Sequence, residues 1–246
     1  MVAIIKIPRK IARTIRKKWR FYRFAWQNPT IASFIKKVKN ENLTYLTTDA
    51  LIDLGEVTLQ IEASGLEGII VEAGCALGGS AVILAKSKHS GRNFSVYDVF
   101  DMIPPPSEND GVDVQQRYQT IKLGDAKGIG QDLYYGYETD LYNKVVDTFD
   151  DFELNVVKHN VHLVKGLYQD TLWIDKPVAL AHIDCDWYES VLLCLSRIEP
   201  YLVKGGTMVI DDYYHWSGCR DAVDNYFKDK NGYEFIKKSR LHIVKK

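Results

Sequence analysis

Two apolar runs that stop on paired acids, "VALAHIDCD" at 178–186 and "GGTMVIDD" at 205–212, restrict the fold of this chain more than any other feature. Each run is short and nearly unbroken in its apolar character, which is the pattern of a strand covered on both faces. Each is followed by a helical segment, "YESVLLCLSRIEPYL" and "SGCRDAVDNYFKD". The same order appears upstream, where "GIIVEAG" precedes the helical "GSAVILAKSKHS", and "NFSVYDVF" and "NVHLVKG" read as further strands. Strands alternating with helices at this spacing predict an α/β, Rossmann-like fold with a mostly parallel sheet and helices on both faces. The terminal pair "YEFIKK" and "LHIVKK" closes it with an antiparallel strand. On such sheets ligands sit at the carboxyl ends of the strands, so functional residues are expected just after each one.

The chain has 246 residues, 46% of them hydrophobic, enough for one substantial core with additions. We divide it into an extension over 1–44 and an α/β domain over 45–246. The stretch from 99 to 145, with "PPPSEND" and the Tyr-rich "LGDAKGIGQDLYYGYETD", is too long for a simple connection and reads as a lid or substrate segment. No apolar run approaches the roughly 20 residues of a membrane span, and no secretory signal pattern opens the chain. Cys75, Cys185, Cys194 and Cys219 show no C-x-x-C spacing, so reduced, buried thiols in the cytoplasm are expected.

The net charge of zero hides an asymmetry, because residues 1–40 carry twelve basic residues and no acid. The rest of the chain therefore holds 32 − 12 = 20 basic residues against 32 acidic ones. Within the basic segment Ile4, Ile7, Ile11, Ile15, Trp19, Tyr22 and Trp26 recur at helical spacing, with a break near Pro8 and an end around Asn28-Pro29. Such a helix suits packing on its own domain, a sister subunit in a homo-oligomer, or an anionic membrane surface. Nucleic acid is the least favoured partner.

Asp184 and Asp186 end one core strand, and Asp211 and Asp212 end the next. If those strands are parallel neighbours, four carboxylates converge on one rim, and unscreened they raise one another's pKa. A hard oxygen-liganded cation, Mg²⁺, fits there, since no Cys or His cluster shares the strand ends. The first strand leads into Glu72, Ala73 and Gly74, then Gly78, Gly79 and Ser80 opening a helix. This turn fits neither G-x-G-x-x-G nor the phosphate loop, which removes support for dinucleotides and triphosphates. Asp98 ends the second strand 24 residues after Gly74, where a carboxylate can accept ribose hydroxyls. An acid at the turn and another at the ribose suit S-adenosylmethionine.

With these segments in hand, "VEAGCALGGS", "YDVFDMIPPP", "NVHLVKGLYQDTL", "HIDCDWYES" and "YLVKGGTMVIDDYYHWSGCRDAVDNYF" together resemble the macrocin O-methyltransferase family over roughly residues 45–230. That resemblance implies a class I methyltransferase fold and S-adenosylmethionine-dependent, metal-assisted methylation of sugar hydroxyls on antibiotics. It further implies that Asp184, Asp211 and Asp212 hold the metal and that Asp186 is the general base. Glu72, Ala73 and Gly74 and the turn through Gly78, Gly79 and Ser80 would hold the methionine part of the cofactor, with Asp98 at the ribose, Phe100 near the adenosine and Asp184 beside them. The chain departs from the family in "GCALGG", where G-V-W-R-G-G is usual, and at Leu167, where an aromatic is usual and Tyr168 stands adjacent.

Tyr134, Tyr135, Tyr137 and Tyr142 in the insertion offer stacking faces for a substrate or fill a lid core, and His215 on the rim is a second candidate base. His182, inside its strand, reads as a hydrogen-bonded core residue. The expected acceptor is a small-molecule glycoside. A catechol-type phenol is the alternative acceptor, and a non-catalytic cofactor-binding protein recruited to membranes is the alternative class.

Overall fold

The computed structural model describes residues 9–246, with side chains from residue 14. Ile4, Ile7 and Pro8, and the side chain of Ile11, lie outside the described residues. Two helices lead the chain, α1 (Arg9–Gln27) and α2 (Pro29–Asn40), separated where Pro29 takes the first helical turn and forbids continuation of α1. Helix α3 (Thr48–Ala63) begins on Thr47, whose hydroxyl accepts the N–H of Ala50.

The sheet strands are β1 (Ile69–Ala73), β2 (Phe94–Asp98), β3 (Val161–Lys165), β4 (Val178–Ile183), β5 (Leu202–Ile210), β6 (Tyr233–Lys237) and β7 (Leu241–Lys245), in the order β3-β2-β1-β4-β5-β7-β6. All neighbours pair parallel except β5 with β7 and β7 with β6, so β7 is the single reversed strand. Intervening helices are α4 (Gly79–Ser87), α5 (Val112–Lys122), α6 (Leu141–Asp151), the one-turn α7 (Tyr168–Thr171), α8 (Tyr188–Ile198) and α9 (Ser217–Phe227). Among the described residues no helix is long and apolar enough to cross a membrane.

Side-chain alternation along the strands divides the core in two. Ile70, Phe94, Val96 and Leu180 face α2, α3, α4 and α6, while Val71, Ala73, Tyr97, Ala181 and Ile183 face α8 and α9. Every residue of β4 is buried, which is why its sequence reads as a continuous apolar run rather than as an alternation. Each fully buried Val, Leu or Ile contributes roughly 1.5–3 kcal/mol through its removal from water. The expected boundary at residue 44 does not mark a break in packing: Ile31, Ala32, Ile35 and Val38 of α2 belong to the same core as α3 and α4.

The insertion over 99–145 is more ordered than its sequence suggests. It contains α5, a bridge between Lys127 and Leu133, and a small core of Ile103, Val114, Ile121, Ala126 and Tyr134 closing on Trp187. Two acids tie it down over the strand ends. Asp110 accepts the backbone N–H of Tyr188 at 2.8 Å, and Asp113 accepts the N–H and hydroxyl of Ser217, so each carboxylate sits at the N-terminus of a domain helix where the helix dipole favours it.

Candidate active site

Strand register brings the acids together. Ala73 of β1 pairs with Ile183 of β4, and Ile183 pairs with Ile210 of β5. One residue later Asp184 donates its N–H to the Ala73 carbonyl at 2.8 Å, and Asp211 donates to the Ile183 carbonyl at 3.0 Å. The two carboxylates therefore leave their strands at the same level. Asp212 opens a single 3₁₀ turn, and Asp186 takes a left-handed backbone conformation (φ 58°), which adds both to the rim. Gly74 makes this closeness possible: with φ +89°, a side-chain carbon there would stand 1.8 Å from the Asp184 carbonyl oxygen.

Two cations are built into the rim's lower side. Arg240, immediately before β7, donates from Nε to Asp211 Oδ1 at 2.6 Å, both groups being buried. His182 places Nδ1 2.8 Å from Glu72 Oε1 and Nε2 3.7 Å from Asp211 Oδ1, with no exposure of either His182 or Glu72. Burial by itself disfavours a charged imidazole, but the hydrogen bonding and charge of Asp211 and Glu72 outweigh it and push His182 up to about 9. Burial raises Asp211 in turn, yet His182 and Arg240 hold it below the usual carboxylate range.

The other acids lack such support. Burial and the repulsion of neighbouring carboxylates push Asp184 and Asp212 well above the ordinary range. Asp186 is also raised by burial, to about 6, with the indole N–H of Trp216 on its Oδ1 at 2.9 Å as one of the contacts that limit the rise. Asp212 Oδ2 is buried without a hydrogen-bond partner.

A divalent cation fits this donor set. Ionising all four carboxylates against the single Arg240 guanidinium would leave three negative charges, counting the Glu72–His182 pair as neutral, and that repulsion, which raises Asp184 and Asp212, is what a bound divalent cation would relieve. Donor atoms of His182, Asp184 and Asp211 lie within 4.8 Å of one another. A protonated imidazole cannot ligate, so the available donors are the oxygens of Asp184, Asp211 and Asp212, the kind a hard cation prefers.

A cavity of about 740 Å³ lies over the rim, within the range of small-molecule sites. Gly74, Ser80, Asp98, Asp184, Asp186, Asp211, Asp212 and His215 all line it, as the sequence suggested. Glu72, Ala73, Gly78, Gly79 and Phe100 do not. Glu72 is spent on His182 beneath the floor, and Ala73 is a fully buried strand residue. At Gly78 φ is +85° and Val145 of α6 stands 3.2 Å from where a side-chain carbon would be, and at Gly79 the Leu43 carbonyl oxygen stands 2.4 Å away, so both glycines serve close packing. Phe100 is buried against Tyr142, with ring centroids 5.1 Å apart. Asp98, expected at the ribose, already accepts the N–H groups of Cys75 and Ala76 on Oδ2 and of Phe100 on Oδ1. It holds the turn after β1 in shape from the cavity wall.

Among the insertion's tyrosines, Tyr134 and Tyr135 line the cavity, whereas Tyr137 bonds the Ile121 carbonyl inside the insertion and Tyr142 packs on Phe100. Leu167 and Tyr168 both reach the wall. Arg240, Arg117 and Tyr45 are among the cavity residues that escaped sequence reading. Arg240 had a signal, since a reversed last strand must bring its start to the rim. Arg117 sits on α5, a helix whose polar sequence concealed it, and Tyr45 lies in the α2–α3 connection.

Residues 40–238 match the profile of the Macrocin-O-methyltransferase (TylF) family. The 8-demethyl-8-(2,3-dimethoxy-alpha-L-rhamnosyl)-tetracenomycin-C 4'-O-methyltransferase of Streptomyces olivaceus is 28% identical over 206 residues, which cover 80% of this chain and 69% of that one. Demethyldecarbamoylnovobiocin O-methyltransferase of Streptomyces niveus is 24% identical over 209 residues, covering 79% and 74%. The solved structure of the O-methyltransferase NovP shares the fold with a TM-score of 0.68 at 23% identity, over 85% of this chain and 87% of that one. With the match spanning most of the α/β domain and its acid-ended strands, the chain is an S-adenosylmethionine-dependent O-methyltransferase and belongs to the macrocin O-methyltransferase family.

Proposed function

We propose that this enzyme methylates a hydroxyl of a sugar or glycosylated natural product, with Mg²⁺ held by Asp184, Asp211 and Asp212 and with Asp186 as the base. The observation that carries the reading is the division of the rim. Asp211 is locked by Arg240 and His182, Asp184 and Asp212 crowd beside it, and Asp186 is oriented separately by Trp216 toward the same cavity. The relative from Streptomyces olivaceus, named for 4'-O-methylation of a rhamnosyl tetracenomycin, supports a sugar hydroxyl as acceptor. Four free, buried cysteines fit a reducing, cytoplasmic setting.

S-adenosylmethionine supplies an electrophilic methyl on a sulfonium, and a divalent cation supplies Lewis acidity that eases ionisation of the acceptor hydroxyl. The chain's own residues do the rest. Gly74, Ser80 and Asp184 line the wall where the methionine part would lie. Asp186 would accept the proton of the acceptor hydroxyl as its oxygen is methylated. Arg240 and His182 keep Asp211 ionised, which removes it as the proton acceptor. Burial keeps the phenols of Tyr134 and Tyr135 protonated, which leaves ring faces and O–H groups for a sugar.

Labelled S-adenosylmethionine incubated with a panel of glycosides and catechols tests the reading. Label should appear on glycosides, vanish with excess chelator and return with Mg²⁺. Label confined to catechols would overturn the acceptor class, and transfer that ignores chelator would overturn the metal.

A further inference from the structure

Helix α1 carries a surface that methyl transfer does not use. Ile15, Trp19, Tyr22 and Trp26 are 54%, 62%, 67% and 84% exposed, a run of large apolar side chains that no other described residue covers. At 3.6 residues per turn they fall within about 60° of one another, a single stripe along the helix. The sequence leaves this stripe open to its own domain, a sister subunit or a membrane surface, and the structure faces it away from the domain. The docked face is instead Arg20, which bonds Asp53 at 2.7 Å and Glu56 at 3.0 Å, together with buried Phe24 and half-buried Phe21. These anchors fix the rotation of α1, so the stripe is held outward rather than free to roll in.

Exposed basic residues flank it on both sides, Arg16 and Arg23 along one edge and Lys18 along the other, and α1 contains no acid. The Arg23 guanidinium lies 5.4 Å from the Trp19 ring centroid, which keeps the charge at the stripe's border. A protein partner is a poor match, because interface cores lose charged residues and cover about 800 Å² per side, whereas this stripe is one side chain wide between cations. Aromatic rings at headgroup depth with cations beside them are what a helix lying in a lipid interface presents.

We propose that α1 seats the enzyme on the surface of an anionic phospholipid bilayer, with Ile15, Trp19, Tyr22 and Trp26 entering the headgroup region and Arg16, Lys18 and Arg23 on the lipid phosphates. The full-length protein should sediment with vesicles of phosphatidylglycerol and phosphatidylcholine, and not with phosphatidylcholine alone, and added salt should weaken the binding. Replacing Arg16, Lys18 and Arg23 by Gln should weaken it about fivefold per charge, on the order of a hundredfold together. Trp19→Ala with Trp26→Ala should abolish sedimentation while leaving methyl transfer to a soluble acceptor unchanged, since neither ring supports the core. Deleting α1 is not equivalent, because it would uncover the pocket that holds Phe24. Equal binding to neutral vesicles, binding indifferent to the tryptophan pair, or no sedimentation with either vesicle would each overturn the proposal. A concentration-dependent dimer abolished by the tryptophan pair would assign the stripe to a second copy of the chain instead.

Discussion

Replacing Gly74 by alanine should damage stability and catalysis together, and the size of each effect follows from the geometry of the rim. An added methyl would stand 1.8 Å from the Asp184 carbonyl oxygen, about 1.6 Å short of ordinary contact at 3.4 Å. The backbone there has φ +89°, which costs an L side chain roughly 1–2 kcal/mol before any clash. Relieving the clash means parting the ends of β1 and β4, and the 2.8 Å bond from Asp184 N–H to Ala73 cannot survive a shift of that size, a further loss of about 1 kcal/mol. With residual strain in the sheet the total should reach at least about 3 kcal/mol. The same shift moves the Asp184 carboxylate by more than 1 Å, enough for about a hundredfold loss of turnover. Gly124 supplies the control, since it has φ +82° and nothing within 4 Å of the added carbon. Gly124→Ala should cost only the conformational part and leave turnover intact. Urea unfolding and single-substrate kinetics on the two variants separate the effects. If Gly74→Ala is no more destabilised than Gly124→Ala and turns over normally, close approach of the two strands is not what places Asp184.

Arg240→Met should destabilise by about 3–5 kcal/mol at neutral pH, because it leaves Asp211 buried without its guanidinium partner. The deficit should shrink in acid as Asp211 protonates, which urea midpoints at two pH values will show. His242 is 1% exposed, its Nε2 has no partner, and burial, then the charge of Lys238, pushes it down to about 4. Its folded pKa lies below the unfolded value of about 6.5, so its contribution is complete above 6.5 and lost as pH falls from 6.5 toward 4, by up to about 3 kcal/mol. His242→Leu should flatten that part of the stability profile; an unchanged slope would contradict the assignment.

The sheet was legible because its strands advertise themselves. β4, apart from His182, and the end of β5 are apolar up to their acids, and parallel pairing leaves those acids side by side. The glycine turn has a packing reason that the sequence did not reveal. Gly78 and Gly79 are small to admit Val145 and the Leu43 carbonyl, contacts across long stretches of chain that local sequence does not announce. Helix α5 stayed hidden because only Val114 and Ile121 are buried on it, a spacing of two turns against Trp187 rather than against the main core. For α1 the apolar periodicity was correct and its direction was not deducible, since the docked side is held largely by the ion pairs of Arg20 with α3. Asp98 shows the same limit. Its place at the end of β2 was readable, but the backbone N–H groups it accepts depend on how the turn after β1 closes.

The central claim is that the rim divides into cation ligands and a separate base. Titration calorimetry with Mg²⁺ on Asp186→Asn and Asp212→Asn, read beside their turnover, tests it most directly. Asp186→Asn should bind Mg²⁺ as the unaltered enzyme does while turnover falls about 10²–10⁴-fold, and Asp212→Asn should lose Mg²⁺ binding. Loss of Mg²⁺ binding in Asp186→Asn, or near-normal turnover there, would contradict the division of roles.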